Sequence, residues 1–259
     1  MIPTLLTDSI TPNLERALHY ALLWGLEAVE LRSVGGPGDR VPDVNERKLR
    51  GQLMESEMPV MAVSPALFEG HLADRAAWLN EVATLDDTLR FCSRIDCPRI
   101  VVAGFRGQTR DTQDDLADPF RHAAARTQGS GVQLCVSNSA AGLIRTGAEL
   151  RSLLDAVGDP AVLAAWNPMA AAMAGEDPSH GVDVLEGRIG LVRCSNGSAS
   201  GNGWEPRTID SGAVDWADQI QRLRRLGFAG PLSLEVRVEP RVKTGLREAT
   251  ALIRMLRTA

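Results

Sequence analysis

The chain has 259 residues, 44% of them hydrophobic, and its 28 basic and 33 acidic side chains give a net charge of −5. This length and hydrophobic fraction allow one large core, and the negative charge argues against a nucleic-acid-binding protein, which usually has a basic face. The sequence has no apolar run of the length needed to span a membrane.

The cysteines and the first residues bear on where the protein resides. Cys92, Cys97, Cys135 and Cys194 form no CxxC pair and lie in apolar contexts. The start, MIPTLLTDSI, lacks the basic region and long apolar stretch of a secretion signal. We therefore expect a reduced, cytoplasmic protein.

Strand-like and helix-like patterns alternate along the chain. The first strand is expected at 2–7, and Thr11-Pro12 then supplies a helix cap followed by a proline at the first helical position. Further strand-like runs lie at 26–32, 59–67, 98–105, 132–138, 161–167, 189–196 and 231–237. Helical patterns lie near 44–56 and 73–95, from 114 onward, and near 147–157, 181–187, 214–226 and 245–257.

Eight such alternations with short connections predict a parallel sheet that closes into a single (β/α)8 barrel over residues 1–259. A doubly wound open sheet is the alternative, but no GxGxxG follows the first strand. The glycine- and serine-rich residues 196–203 are expected to form a loop insertion. Residues 25–32 (GLEAVELR) and 227–237 (GFAGPLSLEVR) also echo each other, because both run from a helix-ending glycine to a strand that closes in Glu-x-Arg.

Four segments resemble, in order, motifs of the xylose-isomerase-like TIM barrels, a family of sugar phosphate isomerases and epimerases. These segments are 26–32 (LEAVELR), 150–157 with 164–168 (LRSLLDAV and AAWNP), 209–216 (IDSGAVDW) and 227–235 (GFAGPLSLE). The resemblance implies a divalent metal (Mn, Mg, Co or Zn) held by Glu, Asp, His and Glu after strands five to eight. Matched residue by residue, those positions are Ser137, Asn167, Arg193 and Glu235, of which only Glu235 is retained.

This change of residues alters the expected chemistry. The family's four ligands carry three negative charges, which a divalent ion reduces to one, whereas the four residues here sum to zero with no ion. Arginine has no lone pair to offer a metal, so we expect no metal cofactor, with the Arg193 guanidinium in the metal's place and paired with Glu235. Ser137 cannot replace the second glutamate that the family implies as a proton-transfer base. Arg193 and Glu235 are thus the candidate catalytic pair.

Other polar side chains near the strand ends are candidates for ligand binding. They are Glu30, His71, Arg106, Ser137, Asn138, Asn167, Asn196, Trp204 and Arg237. Several have structural alternatives: Glu235 with Arg237, and Glu30 with Arg32, could be buried ion pairs, and Ser137 could be a space-filling hydroxyl. His71, and Arg106 with Arg110, either face the site or are solvated. Trp204 either stacks on a sugar or packs over the rim, and residues 196–204 form a phosphate cradle or a flexible lid.

Two functions remain open at this point. The first is a divergent sugar isomerase/epimerase-like protein that binds or converts a small sugar, polyol or sugar acid at the barrel mouth without a metal. The second is a non-catalytic barrel that serves as a carbohydrate-binding or protein-interaction subunit, as a homo-oligomer or paired with an active relative. An open polar cavity would favour the first, and a mouth plugged by Arg193, Glu235 and Trp204 the second.

Overall fold

The computed structural model describes residues 1–36, 38–107, 113–201 and 203–258. Its strands are β1 (Ile2–Leu6), β2 (Ala28–Leu31), β3 (Val60–Val63), β4 (Arg99–Val102), β5 (Gln133–Ser137), β6 (Val162–Trp166), β7 (Ile189–Cys194), β8 (Asn196–Ser200), β9 (Gly203–Arg207) and β10 (Pro231–Leu234). Its α-helices are α1 (Leu14–Leu23), α2 (Glu46–Ser56), α3 (Arg75–Arg94), α4 (Gln113–Thr127), α5 (Gly147–Val157), α6 (Pro168–Met173), α7 (Pro178–Val184), α8 (Trp216–Arg225) and α9 (Arg241–Thr258).

Eight of these strands form one closed parallel barrel, which confirms the expected (β/α)8 fold. Their order around the barrel is β1, β10, β7, β6, β5, β4, β3 and β2, and β2 pairs with β1 to close the ring. Because the strands are parallel, all eight carboxyl ends lie at one end of the barrel, which we call the mouth. In the described part of the chain, no helix combines the length and apolar character needed to cross a membrane.

Three expected elements differ from the structure. The first helix begins at Leu14 and is capped by Asn13, and not by Thr11 with Pro12 at the first helical position. Residues 196–203 are expected as a loop from the sequence, but residues 196–200 and 203 belong to the antiparallel hairpin of β8 and β9, in which Ala199 pairs with Trp204. Backbone pairing in a hairpin needs no run of β-branched or apolar side chains. A segment rich in glycine and serine therefore shows no strand pattern in the sequence. The helix expected at 181–187 begins earlier, at Pro178, because Asp177 caps it, and a further short helix, α6, precedes it.

The strands alternate between two apolar layers. In β5, Leu134 and Val136 belong to the large cluster that includes buried helix side chains, whereas Cys135 belongs to a small cluster in the barrel interior. The other buried members of that interior cluster are Ala62, Val101, Ala165 and Leu191. Because side chains alternate with period two, the residue two positions further along each strand also faces inward, at the mouth. Ser137 and Arg193 occupy such positions, two residues after Cys135 and Leu191.

Candidate functional site

Glu30 lies at the centre of a polar network at the mouth. It is the third residue of β2 and is fully buried. Its Oε1 accepts hydrogen bonds from Arg193 Nη2 (2.7 Å) and from the Ser64 hydroxyl (2.5 Å), and its Oε2 accepts one from the Ser233 hydroxyl. These partners come from β7, from the end of β3 and from β10. Both oxygens of this buried carboxylate accept hydrogen bonds, so Glu30 orients the side chains around it.

Arg193 is the cation of this network. The residue is 8% exposed, and its ion pair is with Glu30. The expectation that it pairs directly with Glu235 is therefore wrong: no hydrogen bond joins the two among the described residues. The reason is geometric, because Glu30 on β2 presents an oxygen to Nη2 within hydrogen-bonding distance. The Nη1 atom of Arg193 is buried and has no hydrogen-bond partner in the described part of the chain.

Glu235 follows β10 and is surrounded by guanidinium groups. Its Oε2 accepts hydrogen bonds from Arg237 (Nη2 at 3.0 Å, Nε at 3.2 Å), and its Oε1 lies 3.5 Å from Arg32 Nη1. Burial raises the pKa of Glu235, but the charges of Arg193, Arg237 and Arg32 outweigh it and hold that pKa below the ordinary value. Glu235 is thus an ionised carboxylate, and it does pair with Arg237, but the pair is not a buried one, because the Arg237 side chain is 41% exposed.

Asp8 extends the network to the loop after β1. Its Oδ2 accepts a 2.9 Å hydrogen bond from Arg32 Nε, and its Oδ1 is buried without a partner among the described residues. Burial lowers the pKa of Arg32, but the hydrogen bond and charge of Asp8, with the charges of Glu235 and Glu30, raise it overall. We call Asp8, Glu30, Arg32, Arg193, Glu235 and Arg237 the mouth network. It contains three cations and three anions.

Two asparagines at the mouth hold the backbone. The Asn138 side chain donates to the carbonyl oxygens of Arg145 and Asn167 (both 3.0 Å) and accepts from Asn167 N (2.8 Å). Asn167 caps α6, because its Oδ1 accepts from Ala170 N at 3.1 Å. Each side chain therefore has a structural role that accounts for its position, and Oδ1 of Asn167 is already engaged.

Asn196 holds the base of the hairpin. Its Nδ2 donates to the carbonyl oxygens of Ile209 and Val214, and its Oδ1 accepts from Gly197 N and Val214 N. With 1% exposure it is part of the loop framework. Trp204 lies on β9 and is half-buried.

The remaining candidates, His71 and Arg106, form no described hydrogen bond or ion pair with the mouth network. His71 and Arg106 are exposed and form a parallel bridge between the loops after β3 and β4. Arg106 also lines a cleft of about 190 Å³ with Phe68, Glu69 and Ser139. Arg110 lies outside the described residues. No described bond joins His71 or Arg106 to Glu30, Arg193 or Glu235.

Neither Ser137 nor the nearby thiol is an activated nucleophile. The Ser137 hydroxyl donates to the carbonyl oxygen of Asn138 at 3.3 Å, and no described carboxylate or imidazole hydrogen-bonds to it. Burial raises the pKa of the Cys135 thiol to about 12, so it stays protonated at neutral pH.

The residues at the four ligand positions do not fit a divalent metal. Arg193 is a cation without a lone pair, Asn167 uses its oxygen as a helix cap, and Glu235 is already paired with arginines. In the described part of the chain, no three His, Cys, Asp or Glu side chains are grouped so that they could hold a metal ion. A hard divalent cation prefers several free oxygen ligands and would be repelled by these guanidinium groups.

One member of the mouth network, Asp8, and the two serines that donate to Glu30 were not identified from the sequence. Ser64, Ser233 and Asp8 stand next to or within apolar strands, where an isolated polar residue is a signal of a buried hydrogen bond. In β10, Ser233 lies between Leu232 and Leu234 and two residues before Glu235, so its inward orientation was readable from the alternation. The positions of Asp8 and Ser64 near strand ends could be predicted from the sequence. Their hydrogen-bond partners could not, because these are set by the tertiary structure.

A closed parallel barrel with a polar network at the carboxyl ends of its strands defines a (β/α)8 protein. The model of the xylose isomerase-like TIM barrel family matches residues 18–259, and the chain belongs to that family. No curated protein matches its sequence.

Solved structures with the same fold include sugar epimerases. An L-ribulose 3-epimerase is 17% identical, with a TM-score of 0.81 over 99% of this chain and 95% of that one. A D-allulose 3-epimerase from Methylomonas sp., in complex with D-allulose, is 13% identical, with a TM-score of 0.77 over 99% and 96% of the two chains. The IOLI protein, with a bound zinc atom, is also 13% identical, with a TM-score of 0.78 over 99% and 95%. At these identities the likeness shows a shared barrel fold.

Proposed function

We propose that this barrel binds a small sugar, polyol or sugar acid at its mouth, with Arg193 and Glu235 as the contacting residues and without a divalent metal. The observation that carries the proposal is the state of Arg193. It stands at the family's histidine ligand position, is fixed by Glu30, and keeps a buried Nη1 with no described partner.

The polar atoms suit a ligand with hydroxyl groups. A hydroxyl both donates and accepts, so one ligand can accept from the Arg193 guanidinium and donate to the ionised Glu235. A buried guanidinium N–H without an acceptor costs free energy, and a ligand oxygen would recover it. The structural likeness to epimerases of L-ribulose and D-allulose supports the same class of ligand.

Catalysis of the kind implied for the family fits these residues poorly. Proton transfer near a carbonyl works best with a base whose pKa is close to the operating pH. At Glu235, burial raises the pKa, but the charges of the neighbouring arginines outweigh burial and lower the pKa below its ordinary value. Ser137 offers no second base. These two observations favour, as the second candidate, a non-catalytic carbohydrate-binding subunit over an ordinary isomerase.

Thermal unfolding in the presence of metals and ligands tests the proposal. The purified chain is unfolded with Mn2+, Co2+, Mg2+ or Zn2+, and separately with pentitols, hexitols and the corresponding sugar acids. We expect at least one polyol or sugar acid to raise Tm in the wild type and not in Glu235→Gln. No metal should raise Tm in a way that Glu235→Gln abolishes. A metal-dependent rise that requires Glu235 would contradict the proposal.

We also propose a reducing, cytoplasmic location. All four cysteines are free and buried thiols, which supports it.

A further inference from the structure

Glu30 and Arg193 act as one unit at the mouth. The three hydrogen bonds to Glu30, from Arg193, Ser64 and Ser233, engage both of its oxygens, and the side chain has no exposed surface. Glu30 is therefore a positioning residue: it fixes the guanidinium through Nη2 and leaves Nη1 as the donor without a described partner. The direction of that donor is set by a buried, hydrogen-bonded carboxylate and not by a mobile side chain.

The charge around Glu235 is unevenly compensated. Three guanidinium groups, those of Arg32, Arg193 and Arg237, act on this single carboxylate. Arg193 also forms an ion pair with Glu30, and Arg32 forms one with Asp8. In the described part of the chain, Arg237 has Glu235 as its only acidic partner. The six side chains of the mouth network sum to zero, so a ligand anion near Arg193 meets no net negative charge from them.

The charge of the implied family site differs from the charge here. There, four ligands and a divalent ion leave one net negative charge, whereas Ser137, Asn167, Arg193 and Glu235 sum to zero. These four positions therefore carry one negative charge fewer than the implied family site with its ion, and this difference favours an anionic ligand. A bare carboxylate would be repelled by the ionised Glu235, but a hydroxyl on the neighbouring carbon would donate to it.

We infer that the ligand is a 2-hydroxy carboxylate of the aldonate type. This inference rests on the proposed function and specifies the ligand of the same site. The ligand carboxylate accepts a hydrogen bond from Nη1 of Arg193, and its 2-hydroxyl donates to the Glu235 carboxylate. Glu30 contributes only by holding Arg193.

Binding measurements with matched pairs of ligands test the inference. Isothermal titration compares D-gluconate, D-galactonate, D-mannonate and D-xylonate with the alditols of the same configuration, which keep the hydroxyls and lack the charge. We expect one aldonate to bind the wild type about tenfold or more tightly than its alditol, as one charge-assisted hydrogen bond would give. Acetate, which has no hydroxyl, should bind at least as weakly as the alditols.

Variants assign the preference to named atoms. The double variant Glu30→Gln/Arg193→Met removes both buried charges and should bind the aldonate and its alditol equally. Arg193→Lys keeps the charge without the fixed guanidinium geometry and should retain a reduced preference. The matched control Arg126→Gln removes a cation from an exposed ion pair with Asp86 and should leave the preference unchanged.

The outcomes separate this inference from the proposed function. Equal binding of aldonates and alditols, both weakened by Glu235→Gln, would leave the proposed function standing and overturn the ligand class. A preference for aldonates that persists in Glu30→Gln/Arg193→Met would also overturn it, as would acetate binding as tight as gluconate binding. Failure of every aldonate and alditol to bind would overturn the ligand class, and failure of the parent aldoses as well would overturn both.

Discussion

The guanidinium of Arg193 and the carboxylate of Glu30 form a 2.7 Å ion pair between residues 163 positions apart in the sequence. Their strands, β7 and β2, are not neighbours in the barrel, because β10 and β1 lie between them. The bond therefore links two sides of the mouth, and both partners are buried. Its energetic importance depends on each charge having the other.

Loss of Arg193 alone should be strongly destabilising. Arg193→Met leaves the Glu30 charge buried without its cation, and we expect the free energy of unfolding to fall by about 3–5 kcal/mol. Glu30→Gln/Arg193→Met should recover most of that loss, because neither charge remains. Urea unfolding of the wild type and the three variants of the cycle measures the coupling.

The control for this cycle is an ion pair of similar length at the surface. Arg126 and Asp86 are 2.8 Å apart, with side chains 47% and 41% exposed. Arg126→Gln should change the free energy of unfolding by less than about 1 kcal/mol. Equal costs for Arg126→Gln and Arg193→Met would contradict the expectation that loss of Arg193 leaves an uncompensated buried charge at Glu30.

Glu248 on α9 should make stability depend on pH. Burial raises its pKa to about 7 from an ordinary value of 4.5, and its Oε1 accepts from Ile209 N while Oε2 has no described partner. Because the folded state favours the protonated form, the contribution of Glu248 to stability is complete below pH 4.5 and is lost as the pH rises to about 7. The loss is on the order of 3 kcal/mol, because a tenfold change in a proton-binding constant corresponds to about 1.4 kcal/mol.

Urea unfolding between pH 4.5 and 8 checks this expectation. The difference in unfolding free energy between Glu248→Gln and the wild type should grow from pH 4.5 to 7 in favour of the variant and then stay level. Glu235→Gln is the contrasting variant: the lowered pKa of Glu235 contributes stability above the ordinary pKa that is lost as the pH falls through the lowered value. Its effect should appear only on the acidic side, and a flat difference for Glu248→Gln would refute the assignment.

The sequence predicted the barrel and the positions of the site better than the bonds within it. Alternating strands and helices predicted the eight-stranded ring, and the strand ends placed Ser137, Asn167, Arg193 and Glu235 at the mouth, because both follow from local periodicity. The ion-pair partner of Arg193 could not be predicted from local periodicity. Glu30 and Glu235 both close a strand in Glu-x-Arg, and the choice between them depends on distances across the barrel.

Asn167 should tolerate the family's aspartate. Its side chain caps α6 through Ala170 N, and aspartate caps as well as asparagine. Asn167→Asp should therefore change the free energy of unfolding by less than about 0.5 kcal/mol, whereas Asn167→Ala should cost about 1 kcal/mol. Urea unfolding of the two variants decides the matter, and equal costs would mean that the cap has no importance here.

Asn196 should hold the hairpin in place. Asn196→Ala removes four hydrogen bonds to the backbone of Gly197, Ile209 and Val214 and leaves buried groups without partners, at a cost of about 3 kcal/mol. Limited proteolysis should then cut within 196–214 sooner than in the wild type. Ser198→Ala, which removes a bond to the exposed Arg207, is the control and should leave the cleavage rate unchanged.

Restoration of the family's ligands should restore a metal site. In Ser137→Glu/Asn167→Asp/Arg193→His with Glu30→Gln, Glu235 is joined by two carboxylates and an imidazole, and no buried charge is left without a partner at Glu30. We expect Mn2+ to raise Tm of this variant in a saturable manner, and the rise should disappear when Glu235→Gln is added. The companion variant that keeps Arg193 and Glu30 but carries Ser137→Glu and Asn167→Asp should show no such rise, because the guanidinium remains among the ligands. A rise in that companion would mean that the two missing carboxylates, and not Arg193, keep the metal out.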